Sequence, residues 1–436
     1  MDKFLVKSSG STSAKLSGKV NISGSKNAAL PILAACLLGE EKSTLSGVPH
    51  LSDSSHMISI LESFGAKASM NLVKDTLSIE PPKERKFAEV PFELASAIRA
   101  SFLVMGPLLA RFKHAALPMP GGCNIGLRPL DLHLKGFTAL GAKIDMIHGQ
   151  IIATADKLAG DRIYLDFPSV GATENIMMAA SLALGVTVIE NAATEPEIVD
   201  LANFLNNMGA NIRGAGTNTI KITGVKRLGG ASYTIMPDRI EAGTLMAAVA
   251  MRGGKVFLNG INAEHLKPVI AKLREMNVEI IEDSHGIWVE SNGYESLLPT
   301  EIKTMPHPGF PTDLQAPFTA ILSLIQGNST ICETVFENRF MHIPELAKMG
   351  ANIKVVSRTA LIEGVSRLSG AKVEATDLRA GAALVIAALC ADGVTEIGNV
   401  HHIDRGYCRL EEKLGVLGAE IRRVGTEIDV GAVEIG

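Results

Sequence analysis

"EIVDLANFLNNMGANIRG", residues 197–214, is the stretch of this sequence whose ending returns at regular intervals along the chain. Its apolar residues recur every three or four positions, which predicts an amphipathic helix that stops at Gly209 and gives way to a strand. Phrases similar to its MGANI begin at residues 64, 140, 276, 349 and 417, at intervals of 68 to 76 residues. Six copies at so even a spacing predict an internal repeat that runs through the whole chain.

Each copy is followed by a second strand, a turn, a third short strand and a second helix of unusual composition. Two of these second helices, TENIMMAASLALG (173–185) and EAGTLMAAVAMRG (241–253), are apolar almost all round and rich in small residues. A helix without a polar face must be enclosed on every side, so we expect such helices to lie behind sheets that face solvent. Units of this size are too small to be independent domains, which favours two domains of three units, with a short hinge near 230–240.

The composition restricts the class of partner. Of the 436 residues 46% are hydrophobic and 20% charged, with a net charge of −4, which is typical of a soluble globular protein and argues against nucleic acid or a membrane surface. The five scattered cysteines contain no CxxC pair, which favours a reduced, cytoplasmic setting over disulfides or structural zinc. No secretion signal, membrane-spanning apolar run or nucleotide- or metal-binding motif occurs, so we expect a small-molecule ligand, no membrane insertion, no cofactor and no metal.

Six stretches carry a close resemblance to the enolpyruvyl transferases, over residues 1 to about 424. They are SGSKNAALPILAACLL (23–38), PGGCNIGLRPLDLH (120–133), FPTDLQA (310–316), VFENRFMH (335–342), ATDLRAGA (375–382) and HIDRGY (402–407). The resemblance implies a two-domain inside-out α/β barrel built from six βαβαββ-type repeats. It also implies domains of residues 26–237 and of 1–25 plus 238–436, because the first strand packs with the second domain, and an active site in the cleft between them.

The reaction that the resemblance implies moves the enolpyruvyl group of phosphoenolpyruvate to the 3'-hydroxyl of UDP-N-acetylglucosamine and releases phosphate. This is the first committed step of peptidoglycan synthesis. A sister group of the family uses shikimate 3-phosphate as acceptor and lacks the loop cysteine, so PGGCNIG and RPLDL argue against that alternative. A non-catalytic repeat scaffold is the other alternative; against it, Cys123, Asp313 and Arg405 each occur in one repeat only, as a site assembled from different repeats requires.

The phosphoenolpyruvate site is predicted first from local chemistry. Lys26 and Asn27 stand at the start of a helix, whose free N–H groups and positive potential favour an anion. Arg128 and Arg405, on predicted loops, present planar forks to phosphate and carboxylate oxygens. Cys123 lies on a loop rich in Gly and Pro, and an ordinary thiol, with a pKa of about 8.5, keeps its proton at neutral pH and can donate it. The resemblance implies that these five residues bind phosphoenolpyruvate.

The resemblance also implies roles in the reaction. Cys123 serves as the general acid towards C3 of phosphoenolpyruvate and is the residue that the epoxide phosphonate fosfomycin alkylates. Asp313, expected in the first turn of a helix, contacts the sugar hydroxyl and is the candidate base, and Lys26 and Arg405 complete the catalytic set. Three residues at helix starts are expected to support the same site: Asp53, Asp377 and Arg379.

The nucleotide-sugar site that the resemblance implies takes residues from several motifs. Arg99, a charge in an otherwise apolar predicted helix, is expected to reach the cleft. The full set is Arg99, Arg128, Pro129, Leu130, Asp131, Leu132, Ser169, Val170, Gly171, Asp313 and Val335. Two positions depart from some members of the family, since Phe167 and Ser52 stand where those members carry basic residues.

Overall fold

The computed structural model describes residues 2–84, 94–95, 98–119 and 130–425 of the chain. Its strands are β1 (Lys3–Ser9), β2 (Leu16–Asn21), β3 (Ser43–Ser46), β4 (Lys67–Asn71), β5 (Thr76–Glu80), β6 (His114–Pro118), β7 (Lys143–Ile147), β8 (Gln150–Thr154), β9 (Arg162–Tyr164), β10 (Val186–Glu190), β11 (Asn211–Arg213), β12 (Thr219–Thr223), β13 (Ser232–Thr234), β14 (Gly254–Asn259), β15 (Glu279–Asp283), β16 (Gly286–Ser291), β17 (Glu301–Lys303), β18 (Asn328–Cys332), β19 (Asn352–Val356), β20 (Thr359–Glu363), β21 (Leu368–Ser369), β22 (Lys372–Glu374), β23 (Ala391–Gly398) and β24 (Ile421–Val424).

The α-helices named here are α1 (Lys26–Ala35), α2 (Ser52–Ser63), α3 (Met105–Phe112), α4 (Asp131–Ala139), α5 (Val170–Ala180), α6 (Pro196–Asn207), α7 (Arg239–Arg252), α8 (Lys267–Glu275), α9 (Gln315–Leu322), α10 (Ile343–Lys348), α11 (Leu378–Ala388) and α12 (Leu410–Val416). Three short 3-10 turns matter for the site: Arg99–Val104, Thr312–Leu314 and Val400–Arg405.

The repeated phrase ends six helices, α2, α4, α6, α8, α10 and α12, in one way. The first residue of every copy is buried. The second has a positive φ of 71° to 105°, and these residues are Gly65, Gly141, Gly209, Asn277, Gly350 and Gly418. The third donates its N–H to the carbonyl five positions earlier, at 2.9 to 3.2 Å, which satisfies an otherwise unpaired helix end. Asparagine enters the left-handed region more readily than other residues with a side chain, which explains the copy that lacks glycine.

Within the described residues the strands form six sheets, and five of them share one pattern. In each of these five, antiparallel strands have a parallel neighbour, such as β9 beside β10 or β17 beside β18. Side chains alternate between the two faces, as in β12, where Ile220 and Ile222 are buried and Lys221 is exposed. One face of a sheet therefore covers apolar helices while the other meets solvent.

Two hydrophobic cores account for the apolar helices. One is built from residues between 28 and 235, and the other from residues between 4 and 20 together with residues between 240 and 417. The helices α1, α3 and α5 lie in the first core, and α7, α9 and α11 lie in the second. All residues of α7 are buried, as its composition predicted. In the described ranges no helix is long and apolar enough to cross a membrane.

The chain passes between the two cores twice. Near the N-terminus, β1 pairs with β23 and β24, and β2 pairs with β14, before α1 enters the other core. The return lies beside the first crossing: the N–H of Ser25 donates to the carbonyl of Met236 at 2.7 Å, and the N–H of Asp238 donates to that of Ser23 at 2.8 Å. The division into residues 26–237 and residues 1–25 plus 238–436 stays a prediction, which the two cores and this double crossing support.

Helices in the first core approach closely at Gly106 of α3, and this contact predicts a stability difference. A Cβ at Gly106 would lie 2.4 Å from the carbonyl oxygen of Asn175, whereas a Cβ at the exposed Gly415 of α12 would meet nothing within 4 Å. We expect Gly106→Ala to lower the free energy of unfolding by about 1–3 kcal/mol, because the helices must separate. Gly415→Ala should raise it by about 0.5–1 kcal/mol, because alanine restricts the unfolded chain.

Urea unfolding followed by circular dichroism measures both effects. Equal midpoints for the two variants would contradict the close approach of α3 and α5.

Candidate active site

Two cations from distant parts of the chain meet on one buried carboxylate. Lys26 is the first residue of α1, where the Ser25 side chain accepts the N–H of Ala28 at 3.4 Å. Its Nζ lies 2.7 Å from Oδ2 of Asp53, in the first turn of α2. The other oxygen, Oδ1, accepts from Nε of Arg405 at 2.9 Å. Asp53 therefore binds two cations that lie far apart in the sequence, one on α1 and one on the turn Val400–Arg405.

Burial and these pairings set the protonation of the group. Burial lowers the pKa of Lys26, Asp53 opposes this, and the positive charges of Arg379 and Arg405 lower it further. For Asp53, burial alone favours the neutral acid, but Lys26 and Arg405 outweigh it and hold the pKa below its usual range. The carboxylate thus stays ionised at neutral pH and keeps two cations in place.

A second carboxylate is held by two arginines. Asp313 lies in the 3-10 turn that precedes α9, and its Oδ1 is 2.5 Å from Nη2 of Arg339. Its Oδ2 is 2.9 Å from Nη2 of Arg379. The side chains of both arginines are buried, whereas that of Asp313 keeps 24% of its surface exposed. Burial would raise the pKa of Asp313, but the two guanidinium groups outweigh it and hold that pKa well below its usual range.

Arg379 connects the two carboxylate groups. Asp377 caps α11 and accepts the N–H of Arg379 at 2.7 Å, which fixes the start of the helix. The Arg379 guanidinium lies 5.2 Å from the ring centre of Tyr407, and its charge lowers the pKa of Lys26. The ion pairs on Asp53 and Asp313 bring four cations into the candidate site, and the carboxylate of Asp238 also acts on Arg379, whose pKa it raises. The four cations are candidate partners for an anionic ligand.

A third group contains most of the residues predicted for the nucleotide sugar. Leu130 to Leu132 form the N-cap and first residues of α4, and Ser169 to Gly171 do the same in α5, where the Ser169 side chain accepts the N–H of Ala172 at 3.4 Å. His133 joins the two helix starts, because a Cβ at Gly171 would lie 3.3 Å from its Nε2.

Arg99 also lies near His133. Burial, with the charge of Arg99, lowers the pKa of His133 to about 3, so the ring is neutral. The helix predicted around Arg99 is a 3-10 helix, Arg99–Val104, which leads into α3 at Met105. The turn around Asp313 is likewise 3-10, with α9 following.

Three of the predicted site residues, Cys123, Arg128 and Pro129, lie outside the described residues. The remaining ones have defined places. Asn27 is half-buried in the first turn of α1, and Val335 is half-buried in the segment after β18. Of the two departures, Phe167 has 45% of its surface exposed, and Ser52 begins α2.

The comparisons with known proteins agree with this geometry. Residues 11–414 match the family described as EPSP synthase (3-phosphoshikimate 1-carboxyvinyltransferase). The UDP-N-acetylglucosamine 1-carboxyvinyltransferase 2 of Carboxydothermus hydrogenoformans is 58% identical over 97% of this chain and 100% of the relative. The chain belongs to the enolpyruvyl transferase family.

Other family members extend the likeness. The UDP-N-acetylglucosamine 1-carboxyvinyltransferase 1 of Caldanaerobacter subterraneus is 56% identical over 97% of this chain and 99% of its own. Among solved structures, the enolpyruvyl transferase NikO from Streptomyces tendae superimposes with a TM-score of 0.86 at 25% identity, covering 97% of this chain and 99% of its own. EPSP synthase from Acinetobacter baumannii, at 16% identity, a TM-score of 0.74 and 98% and 100% coverage, shares the fold. The mixed α/β fold is thus that of the enolpyruvyl transferases.

Sequence reasoning missed two residues that hold this family member's site together. Arg339 lies within VFENRFMH, yet only Val335 of that stretch was predicted to act. Glu333, two residues before Val335, is buried and accepts hydrogen bonds from four groups. The signal that could have indicated Arg339 is its charge inside a long stretch that matches the family. An arginine that becomes buried needs a partner, so such a residue is a candidate for an ion pair. Among the described residues, no three His, Cys, Asp or Glu side chains are placed to bind a metal ion.

The two arginines on Asp313 predict a large effect on stability. Asp313→Asn removes the charge that compensates buried Arg339 and Arg379, so we expect the free energy of unfolding to fall by about 3 kcal/mol at pH 7. Asp166→Asn is the control, because Asp166 pairs with Lys135 on the surface, at 2.7 Å. This loss should stay below about 1 kcal/mol.

The dependence on pH has a definite sign. A carboxyl whose pKa is lowered on folding stabilises the protein above its unfolded pKa of about 4, and this stabilisation is lost as pH falls further. Chemical denaturation should therefore give the same difference between wild type and Asp313→Asn at pH 8 and at pH 6. A difference that shrinks between these two pH values would show that Asp313 is not held ionised by its arginines.

Proposed function

We propose that this chain transfers the enolpyruvyl group of phosphoenolpyruvate to the 3'-hydroxyl of UDP-N-acetylglucosamine, with release of phosphate, in the first committed step of peptidoglycan synthesis. Relatives that carry this enzyme's name match nearly the whole chain at more than half identity. The observation that carries the proposal is the meeting of Lys26 and Arg405 on Asp53, next to Arg379. This arrangement brings together cations from both ends of the sequence, and an acidic substrate can bind to them.

The proposed reaction has two steps. In the first, the sugar hydroxyl adds to C2 of phosphoenolpyruvate while C3 takes up a proton. In the second, phosphate leaves with cleavage of the C–O bond, and C3 gives the proton back. The steps need an anion clamp, an acid near C3 and a base near the hydroxyl. We propose no cofactor, since every proton and leaving group is accounted for by side chains and substrates.

The anion clamp is proposed to consist of Lys26, Arg128 and Arg405, with Asn27 beside them and Arg379 behind. Lys26 stands at the N-terminus of α1, where the positive end of the helix dipole adds to its charge. Burial removes competing water and strengthens the attraction between these cations and a phosphate or carboxylate. The pairing with Asp53 supports this, because it keeps Lys26 and Arg405 near each other without ligand.

Asp313 is proposed to receive the sugar hydroxyl. Its low pKa makes it a weak base while both arginines hold it. Its remaining exposed surface can still accept a hydrogen bond, so orientation of the hydroxyl is the larger part of its proposed role. The other proposed contacts to the nucleotide sugar are those predicted from the sequence, namely Arg99, Arg128 to Leu132, Ser169 to Gly171 and Val335. Asp377, through its cap on α11, supports Arg379.

The finer architecture belongs to the same proposal. We propose an inside-out α/β barrel of six repeats in two domains, with the active site between them. The buried helices, the six equivalent helix ends and the two cores support it. A cytoplasmic location and the absence of a nucleic-acid partner stay predictions from composition.

The alternative acceptor, shikimate 3-phosphate, is less supported. The solved EPSP synthases resemble this chain at 16% and 17% identity, which concerns the fold alone. The stretches PGGCNIG and RPLDL still argue against shikimate 3-phosphate as the acceptor.

Phosphate release tests the proposal directly. The protein is incubated with phosphoenolpyruvate and, separately, with UDP-N-acetylglucosamine or shikimate 3-phosphate. We expect phosphate with the nucleotide sugar only, and the same rate in EDTA, because cleavage of a C–O bond needs no metal at phosphorus. Release with shikimate 3-phosphate alone would reverse the choice of acceptor, and a loss in EDTA that magnesium restores would contradict the mechanism.

Covalent labelling tests the role proposed for Cys123. Fosfomycin is a small anionic epoxide, so the cations of the clamp should steer it to this thiol, and bound nucleotide sugar should speed the reaction. The buried thiols Cys36 and Cys390 should label slowly, since burial raises the pKa of each to about 12.

Variants at this position separate the acid from the nucleophile. Cys123→Ala should abolish labelling and nearly all turnover. Cys123→Asp should keep some turnover and resist the epoxide, because a carboxyl can donate a proton but offers no sulfur. Wild-type turnover by Cys123→Ala would assign the acid to another residue.

A further inference from the structure

In addition to Asp53 and Asp313, a third carboxylate is connected to the candidate site. It belongs to Glu333, which immediately follows β18. Its side chain is fully buried. An ionised carboxylate offers about four acceptor sites. Oε1 of Glu333 accepts from the Thr304 hydroxyl at 2.9 Å and from the N–H groups of Val335 and Phe336 at 2.8 and 3.1 Å. Oε2 accepts from the Thr312 hydroxyl at 2.7 Å. All four partners donate, which is the arrangement that suits an ionised carboxylate.

These bonds fix the segment that carries Val335. The two N–H groups bind the same oxygen, so the chain must turn back over Glu333 immediately after it. The Thr304 hydroxyl also accepts the N–H of Thr334 at 3.0 Å, which adds a bond on the other side of the turn. The position of Val335, a proposed contact of the nucleotide sugar, therefore depends on one buried carboxylate.

The same carboxylate reaches Asp313 through a chain of hydrogen bonds. Thr312 donates to Glu333 and accepts from Nη1 of Arg339 at 2.8 Å, while Nη2 of Arg339 binds Asp313. The Arg339 guanidinium lies 5.2 Å from the ring centre of Phe336, whose own N–H is held by Glu333. Arg339 is thus bounded on two sides by groups that Glu333 fixes.

We propose that Glu333 is a positioning residue for the nucleotide sugar, which holds Val335 and Asp313 in one fixed relation. The inference rests on the proposed function and deepens it, because it separates the control of the two substrates. The four groups that donate to Glu333 belong to Thr304, Thr312, Val335 and Phe336 and are not members of the ion pairs on Asp53. Loss of its charge should therefore act on the sugar and spare phosphoenolpyruvate. If Glu333 had only a structural role, its substitution would lower the stability of the protein and would not affect the two substrates differently.

The substitution Glu333→Gln tests the proposal. An amide can present only one oxygen, so either the Thr312 hydroxyl or the two backbone N–H groups lose their acceptor. We expect kcat/KM for UDP-N-acetylglucosamine to fall about tenfold or more, while KM for phosphoenolpyruvate changes less than about twofold. Isothermal calorimetry with UDP-N-acetylglucosamine alone should show the same loss of affinity.

Glu337→Gln is the matched control, because it removes the same charge from the same segment. Glu337 is exposed and pairs at 3.4 Å with Arg358, whose side chain is 47% exposed. We expect its kinetics to equal those of wild type. If Glu333→Gln behaves like Glu337→Gln, or loses stability with an unchanged KM for both substrates, the positioning role is wrong.

A second pair of variants keeps the test decisive should Glu333→Gln fail to fold. Thr312→Val removes the hydroxyl that relays Glu333 to Arg339 at nearly constant volume, and Thr312→Ser retains it. We expect Thr312→Val to weaken the nucleotide sugar selectively and Thr312→Ser to lie closer to wild type. Equal effects of the two substitutions would overturn the relay.

Failure of the proposed function is distinguishable from failure of this inference. If wild type releases no phosphate but binds UDP-N-acetylglucosamine in the calorimeter, the reaction is wrong, and the comparison of Glu333→Gln with wild type still decides the positioning role. If wild type does not bind the nucleotide sugar at all, both are overturned.

Discussion

Asp53 holds Lys26 and Arg405, and the need to compensate these buried charges constrains how the two halves of the chain meet. Lys26 enters the first core directly after the first crossing, whereas Arg405 lies in the last repeat. A buried cation that loses its carboxylate costs several kcal/mol, so an arrangement of the halves that separates the three groups is strongly disfavoured. The candidate site therefore stabilises the tertiary structure in addition to its proposed role in the reaction.

Asp238 extends this constraint to the backbone. Its Oδ1 caps α7 by accepting the N–H groups of Ile240 and Glu241 at 2.7 and 3.0 Å, and its Oδ2 accepts the N–H of Lys26 at 3.2 Å. One side chain thus fixes the start of a helix in the second core and the start of α1 in the first. The two crossings lie side by side, so the orientation of Lys26 is tied to that of the whole second half.

The parts of the fold that could be predicted from the sequence are those determined locally. The glycine of each repeated phrase indicates a helix end because the left-handed conformation and its closing hydrogen bond involve residues within one turn. The pairing of β1 with β23, or of β13 with β3, joins residues far apart in sequence, and no local pattern specifies it. The double crossing was predicted from the resemblance to a family alone, because no local sequence pattern indicates it.

The candidate site divides in the same way. Lys26, Asp53, Asp313 and Arg379 stand at helix starts, where charge and capping give each a recognisable pattern, and the structure brings these four together. Glu333 has no such pattern: in the sequence it is one more acidic residue after a strand. Its proposed role rests on burial and on the hydroxyl donors of Thr304 and Thr312, which only folding brings to it, together with the N–H groups of the residues that follow it.

The pairing of cations with carboxylates also bears on how an anionic substrate can bind without a large rearrangement. Free lysine and arginine side chains in a solvent-filled site would adopt many conformations, and ordering them would oppose binding. Asp53 and Asp313 restrict these conformations in advance, at the cost of lowering the net positive charge that the ligand meets. Lysine carries three N–H donors and arginine five, so the paired cations retain donors for an acidic ligand while their carboxylates keep them ordered. In such a site the fixed positions of the groups matter more than a large positive charge. The proposed reaction requires this, because it depends on the placement of a hydroxyl, a proton and a leaving phosphate.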